Sequence, residues 1–132
     1  MKTISALLII SFFILTYCTK TTNSNESLMR KTNEASNIRL KNDSDHDFEN
    51  VKVIFPSREE NFENLKKGEV TSYRSIKIAY KYAYIELFVE NEKFVLQPID
   101  YVGETPLGKG HFTYVLRINF EERSLNLTFK ED

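Results

Sequence analysis

The feature that most constrains this chain is a two-residue alternation of apolar and other side chains through most of residues 37–132. Phe112, Tyr114, Leu116, Ile118 and Phe120 interleave with Thr113, Val115, Arg117 and Asn119. Leu125, Leu127 and Phe129 interleave with Asn126, Thr128 and Lys130. Successive side chains of a strand point to opposite faces, so this period places one face on a core and leaves the other to water. Glu121-Glu122-Arg123 is short enough to join the two runs as a hairpin. Ile38 and Leu40, then Val51, Val53 and Phe55, repeat the pattern upstream. Lys66-Lys67-Gly68-Glu69 reads as a turn before a strand at 70–75. In 57–65, Asn61, Phe62 and Leu65 are spaced for one short helical turn, and the segment reads as loop. The pattern predicts an all-β domain: a single antiparallel β-sandwich of about seven strands.

Residues 79–89, AYKYAYIELFV, are apolar on both faces and predict a central strand. Tyr80, Tyr82, Tyr84 and Phe88 share one face, and Ala83, Ile85, Leu87 and Val89 the other. Glu90-Asn91-Glu92 turns into a second hairpin arm at 94–96. Tyr80, Tyr82 and Tyr84 are the leading candidates for a binding surface, because Tyr combines apolar area with a polar tip. The competing expectation is that the rings pack between the sheets. Burying all three hydroxyls needs three partners, so at least one should reach solvent.

The N-terminus follows other rules. Lys2 precedes ISALLIISFFIL at 4–15, an apolar run of export-signal length and short of a membrane span. The run ends at Leu15-Thr16-Tyr17-Cys18, which resembles the lipobox of bacterial lipoproteins, with Tyr17 departing from the small residue usual there. The resemblance implies cleavage before Cys18 and a lipid on its sulfur and new amino group. Cys18 is the sole cysteine of the chain, so no intramolecular disulfide forms. Release by an ordinary signal peptide and retention of an N-terminal anchor are the other readings; all three place the folded part outside the cytoplasm. Residues 1–17 are thus expected to be signal, 18–36 a lipidated Cys with a polar tether, and 37–132 the β domain. Removing Lys2 with the signal takes the basic count from 18 to 17 against 19 acids, a net of −2. That balance offers no footprint for nucleic acid.

Four stretches carry a wider resemblance. They are Asn42-x-Ser44-x-x-Asp47-Phe48-x-Asn50-Val51, Ala79-Tyr80-Lys81-Tyr82-Ala83-Tyr84-Ile85, Gln97-Pro98-Ile99-Asp100-Tyr101-Val102-Gly103-Glu104 and Gly110-x-Phe112-Thr113-Tyr114. Together they resemble small lipoproteins of Bacteroidetes-type bacteria, with Asp100 to Glu104 the most specific part. The resemblance implies a secreted, lipid-anchored β domain and no activity; the expected place is the cell envelope, on the outer membrane, with the domain in the periplasm or at the cell surface. More loosely, Leu107-x-x-Gly110-x-Phe112-x-Tyr114 is similar to the strand entry of immunoglobulin-like and transthyretin-like sandwiches. There a Tyr hydroxyl ties back to backbone, a role expected of Tyr114.

Other motifs read as structure. GETPLGKG at 103–110 approaches a phosphate-binding loop, but Gly110 stands where Ser or Thr should hold Mg²⁺, and a strand pattern follows where a helix is needed. Asp43, Asp45 and Asp47 have the first spacings of a calcium loop without its Gly or its closing Glu, as a polar turn would. His46 and His111 are too few for a zinc site. No catalytic, cofactor or metal residue is therefore assigned. Asp100, Tyr101 and Glu104 join the tyrosines as a possible binding surface. The expected function is a non-enzymatic envelope lipoprotein whose partners are the membrane, through its lipid, and an envelope protein or small ligand. The alternatives are a sugar- or peptide-binding surface lipoprotein and a small hydrolase using Asp100, Glu104 and His111.

Overall fold

The computed structural model describes residues 34–132, which leaves the signal segment, Cys18 and most of the tether outside the described residues. These residues form eight strands and no helix: β1 (Ser36–Asn42), β2 (Phe48–Ile54), β3 (Glu59–Leu65), β4 (Arg74–Ile76), β5 (Tyr84–Val89), β6 (Glu92–Leu96), β7 (Gly110–Asn119) and β8 (Ser124–Glu131). They make two four-stranded sheets, β4-β1-β7-β8 and β3-β2-β5-β6, in a sandwich-like arrangement. Ile38, Leu40, Tyr114 and Leu116 from the first sheet, with Val51, Val53, Ile85 and Leu87 from the second, are fully buried. Burying each such aliphatic side chain stabilises the fold by about 1.5–3 kcal/mol before entropy is counted.

Both expected hairpins form, β5–β6 and β7–β8. Four expectations are corrected. The strands number eight rather than about seven, because residues 59–65 pair with β2 instead of forming a loop. The sandwich is not wholly antiparallel, because β1 runs parallel to β7 from Ser36↔Gly110 to Asn42↔Leu116. The strand expected at 79–89 begins only at Tyr84, where its neighbours stop: Ile54 ends β2 opposite Tyr84, and Leu96 ends β6 opposite Ile85. The strand expected at 70–75 is reduced to an isolated bridge at Val70 and the three residues of β4.

The register gives the domain two poles. At one, β1, β5 and β7 begin while β2 and β6 end. Two crossovers between the sheets lie there, residues 77–83 from β4 to β5 and 97–109 from β6 to β7. At the other pole, the 43–47 turn, the 66–69 turn and the two hairpin turns come together.

Candidate functional site

The two crossovers bind each other at the first pole. The Leu107 N–H donates to the Ala79 carbonyl at 2.9 Å. Tyr114, fully buried on β7, donates its hydroxyl to the Tyr80 carbonyl, the backbone tie expected of it. Burial pushes the Tyr114 phenol far above its ordinary pKa, so it stays a donor at any physiological pH. Ala79 and Ala83 are buried, which keeps the first crossover close to the core and turns Tyr80 and Tyr82 outward.

Tyr101 is the centre of the arrangement. Its ring stacks on Tyr80 with centroids 4.8 Å apart and on Tyr82 at 5.3 Å, the second pair nearly parallel at 6°. Such pairs contribute about 0.5–1.5 kcal/mol each beyond the area they bury. Tyr82 donates its hydroxyl to the Asp100 carbonyl at 2.9 Å. Burial and the neighbouring Glu104 and Asp100 carboxylates push the Tyr82 phenol up; burial likewise raises Tyr101. Tyr84 points along β5 to Glu86, its hydroxyl 3.1 Å from the carboxylate. All four rings are half-buried, between the core and surface readings of their faces.

Asp100 and Glu104 shape the second crossover. One carboxylate oxygen of Asp100 accepts the Val102 N–H at 2.9 Å, a local turn of the kind Asp favours. The Glu104 N–H then closes onto the Tyr101 carbonyl at 3.0 Å, with Gly103 at φ 80° in the position of a type II turn that requires it. Ile99 and Val102 flank Tyr101 and stand almost wholly in solvent, 104% and 86% exposed. A cleft of about 430 Å³ runs beside Ile99 between the end of β6 and the first half of β8, lined by Tyr82, Leu96, Gln97, Pro98, Asp100 and Asn126 among others. A smaller hollow of about 230 Å³ lies on the other side of the same loop, against Ile54, Tyr84 and Tyr101.

Tyr80, Tyr82, Tyr84, Asp100 and Tyr101 thus meet at one pole, with Glu104 on the following turn. Ile99, Val102, Gln97 and Asn126 were not foreseen. For the first two the signal was available: two aliphatic residues in a stretch between Pro98 and Pro106 that has no period to bury them. His111 stands apart, its ring packed edge-on against Tyr73 at 4.9 Å. Among the described residues no hydrogen bond or ion pair joins it to Asp100 or Glu104.

The remaining motifs resolve as local structure. GETPLGKG leads directly into β7, and a Cβ on Gly110 would lie 2.6 Å from the Phe112 ring, so a larger residue there requires that ring to shift. Asp43 pairs with Arg117, Asp45 with Lys67 Nζ at 3.1 Å, and Asp47 accepts the Lys67 N–H at 2.8 Å. Arg117 thus holds Asp43, while the side chain and the backbone of Lys67 hold Asp45 and Asp47.

No family model and no curated protein matches the chain. Among solved structures it is similar to the NMR structure of a protein from Eubacterium rectale, at 18% identity and a TM-score of 0.55, over 75% of this chain and 91% of that one. At that identity the likeness speaks for the fold.

Proposed function

We propose that the chain is a non-enzymatic lipoprotein of the cell envelope, held by a lipid on Cys18 and acting through contacts made at the Tyr101 pole. One observation carries the reading. A short loop displays two aliphatic side chains, Ile99 and Val102, almost wholly in solvent and beside a cleft, apolar surface of the kind that marks contact sites. The rigidity supports it too. Tyr101 is stacked on two rings and Asp100 is turned onto its own backbone, so a partner binding there pays little ordering entropy. The finer fold we infer is an immunoglobulin-like or transthyretin-like sandwich, supported by the two four-stranded sheets and the buried Tyr114 tied to backbone.

The cleft favours a second component of the same reading: capture of a sugar or peptide. Gln97, Asp100 and Asn126 place amide and carboxylate groups around an apolar floor of Leu96 and Leu127, the mixture that orients a small ligand. Photo-crosslinking from position 102 in intact cells tests the contact reading. Adducts, to lipid or to protein, are expected from position 102 and none from position 128 on the outer face of β8. Equal labelling from both positions would remove the claim. For the enzyme alternative, Asp100→Ala is decisive. A hydrolase would keep its fold and lose turnover, whereas a contact loop loses adducts.

A further inference from the structure

The pole that carries the exposed loop is also the pole where the chain enters the domain. Ser36, the first residue of β1, lies opposite Gly110 and Ile76, and its hydroxyl donates to the Gly108 carbonyl. Whatever precedes residue 36 therefore departs from beside the 97–109 crossover. Ile99 and Val102 sit on that crossover, with Tyr101 between them in sequence.

The charge of the two poles differs as well. The loops of the far pole, at 43–49, 66–69, 90–92 and 119–123, hold nine acidic and three basic side chains. The segments of the entry pole, at 34–35, 55–58, 77–83, 97–109 and 130–132, hold five of each. Four of those bases, Lys77, Lys81, Lys109 and Lys130, are exposed. An anionic surface repels the far pole and accepts the entry pole.

We propose that the entry pole faces the membrane, with Ile99 and Val102 resting in the boundary between headgroups and acyl chains of the bilayer that holds Cys18. The proposal rests on the lipid-anchor reading and names the surface that the loop tip meets. Two aliphatic side chains are too weak to hold a free protein on a bilayer. Here the attachment is already made, so the contact is intramolecular and its effective concentration is set by the tether. Seventeen residues between Cys18 and Ser36 reach at most roughly 60 Å when extended and leave the loop free to return to the surface. Tyr rings suit the headgroup level, and the long lysine stems carry their charge outward to it. The loop thus sets orientation: it turns the entry pole toward the bilayer and the acidic pole away.

The test uses the lipidated full chain in vesicles of phosphatidylethanolamine with a minor share of phosphatidylglycerol. Once Cys18 carries lipid, an introduced Ile99→Cys, Val102→Cys or Glu121→Cys is the sole free thiol and takes an environment-sensitive fluorophore. The expected result is a blue-shifted emission at 99 and 102, quenched several-fold by nitroxide on the upper acyl chain, and neither effect at 121. Unshifted probes at all three sites on protein that still sediments with the vesicles overturn this proposal and leave the anchor standing. Protein that fails to sediment, and is soluble in cells with Cys18 intact, overturns the anchor and this proposal together. Probes shielded in cells but exposed in vesicles assign the loop to a protein partner and also overturn it.

Discussion

The two poles solve the same problem, how to close one end of a sandwich, with different chemistry. The far pole uses polar saturation. Asn42 is fully buried, donates its amide to the carbonyls of His46 at 2.7 Å and Leu65 at 3.0 Å, and accepts the Ser44 N–H at 3.0 Å. Its backbone N–H and carbonyl are taken by Glu69 and Gly68. The entry pole uses ring stacking and leaves its aliphatic tips outside. A pole whose hydrogen-bonding groups are spent internally has little left to offer a partner. A pole with apolar surface in water has something to gain from one.

That contrast breaks most visibly at Asn42. Asn42→Ala strands the buried Leu65 carbonyl, takes one of two donors from the His46 carbonyl and leaves the Ser44 N–H without its acceptor, and should cost about 3 kcal/mol. For a domain near 100 residues each kcal/mol lowers Tm by about 4–8 °C. A loss under about 1 kcal/mol in thermal or urea unfolding would show that the far pole is not held this way. Tyr101→Ala should cost less, about 2 kcal/mol for two stacked pairs, and should also abolish adducts from position 102. Loss of stability with adducts retained would separate the stack from the contact.

A smaller effect depends on pH. Asp132 accepts hydrogen bonds from Tyr73 at 2.7 Å and Thr113 at 2.5 Å and pairs with Arg39 at 3.5 Å. Partial burial opposes its ionisation, but the hydrogen bonds from Thr113 and Tyr73 and the Arg39 charge outweigh it and hold the carboxyl below its usual range. A lowered folded pKa stabilises above the unfolded value near about 3.9, and the gain is lost as pH falls through the folded value. The Tm gap between the wild type and Asp132→Asn should therefore be constant above pH about 5 and shrink as pH drops below about 4. A gap that persists in acid would assign it to packing. Smallest of all, Ile99→Ser with Val102→Ser should leave stability within about 0.5 kcal/mol, as exposed sites do. A larger loss would mean the tips support the fold.

The sequence made the first sheet easier to read than the second. β7 and β8 pack one face each, so their period of two survives intact from 112 to 129. β3 hid itself. Asn50 and Glu63 both take positive φ, 49° and 59°, and the β2–β3 register shifts between Phe48 and Lys52. The shift turns Phe62 and Leu65, three residues apart, both inward, which imitates a helical turn in an otherwise polar segment. Periodicity also reports which face a strand buries and not which strand it joins, so the parallel β1–β7 pair left no trace. At the site, the tyrosines and Asp100 could be named because their side-chain types are suited to contacts. Their assembly could not, since Tyr101 meets Tyr80 and Tyr82 only after both crossovers have closed.

The parallel pair has a consequence for time rather than shape. Arg39 reaches Thr113 across 74 residues, and β1 has no other long partner in its sheet, β4 being three residues long. The first strand made must wait for almost the last before its sheet can close. Such distant pairings make folding slow, because a large loop is ordered before the contacts reward it. For a chain threaded across a membrane from its N-terminus, as proposed, that delay is useful: the domain stays unfolded while it is being translocated and completes itself only after β7 has emerged.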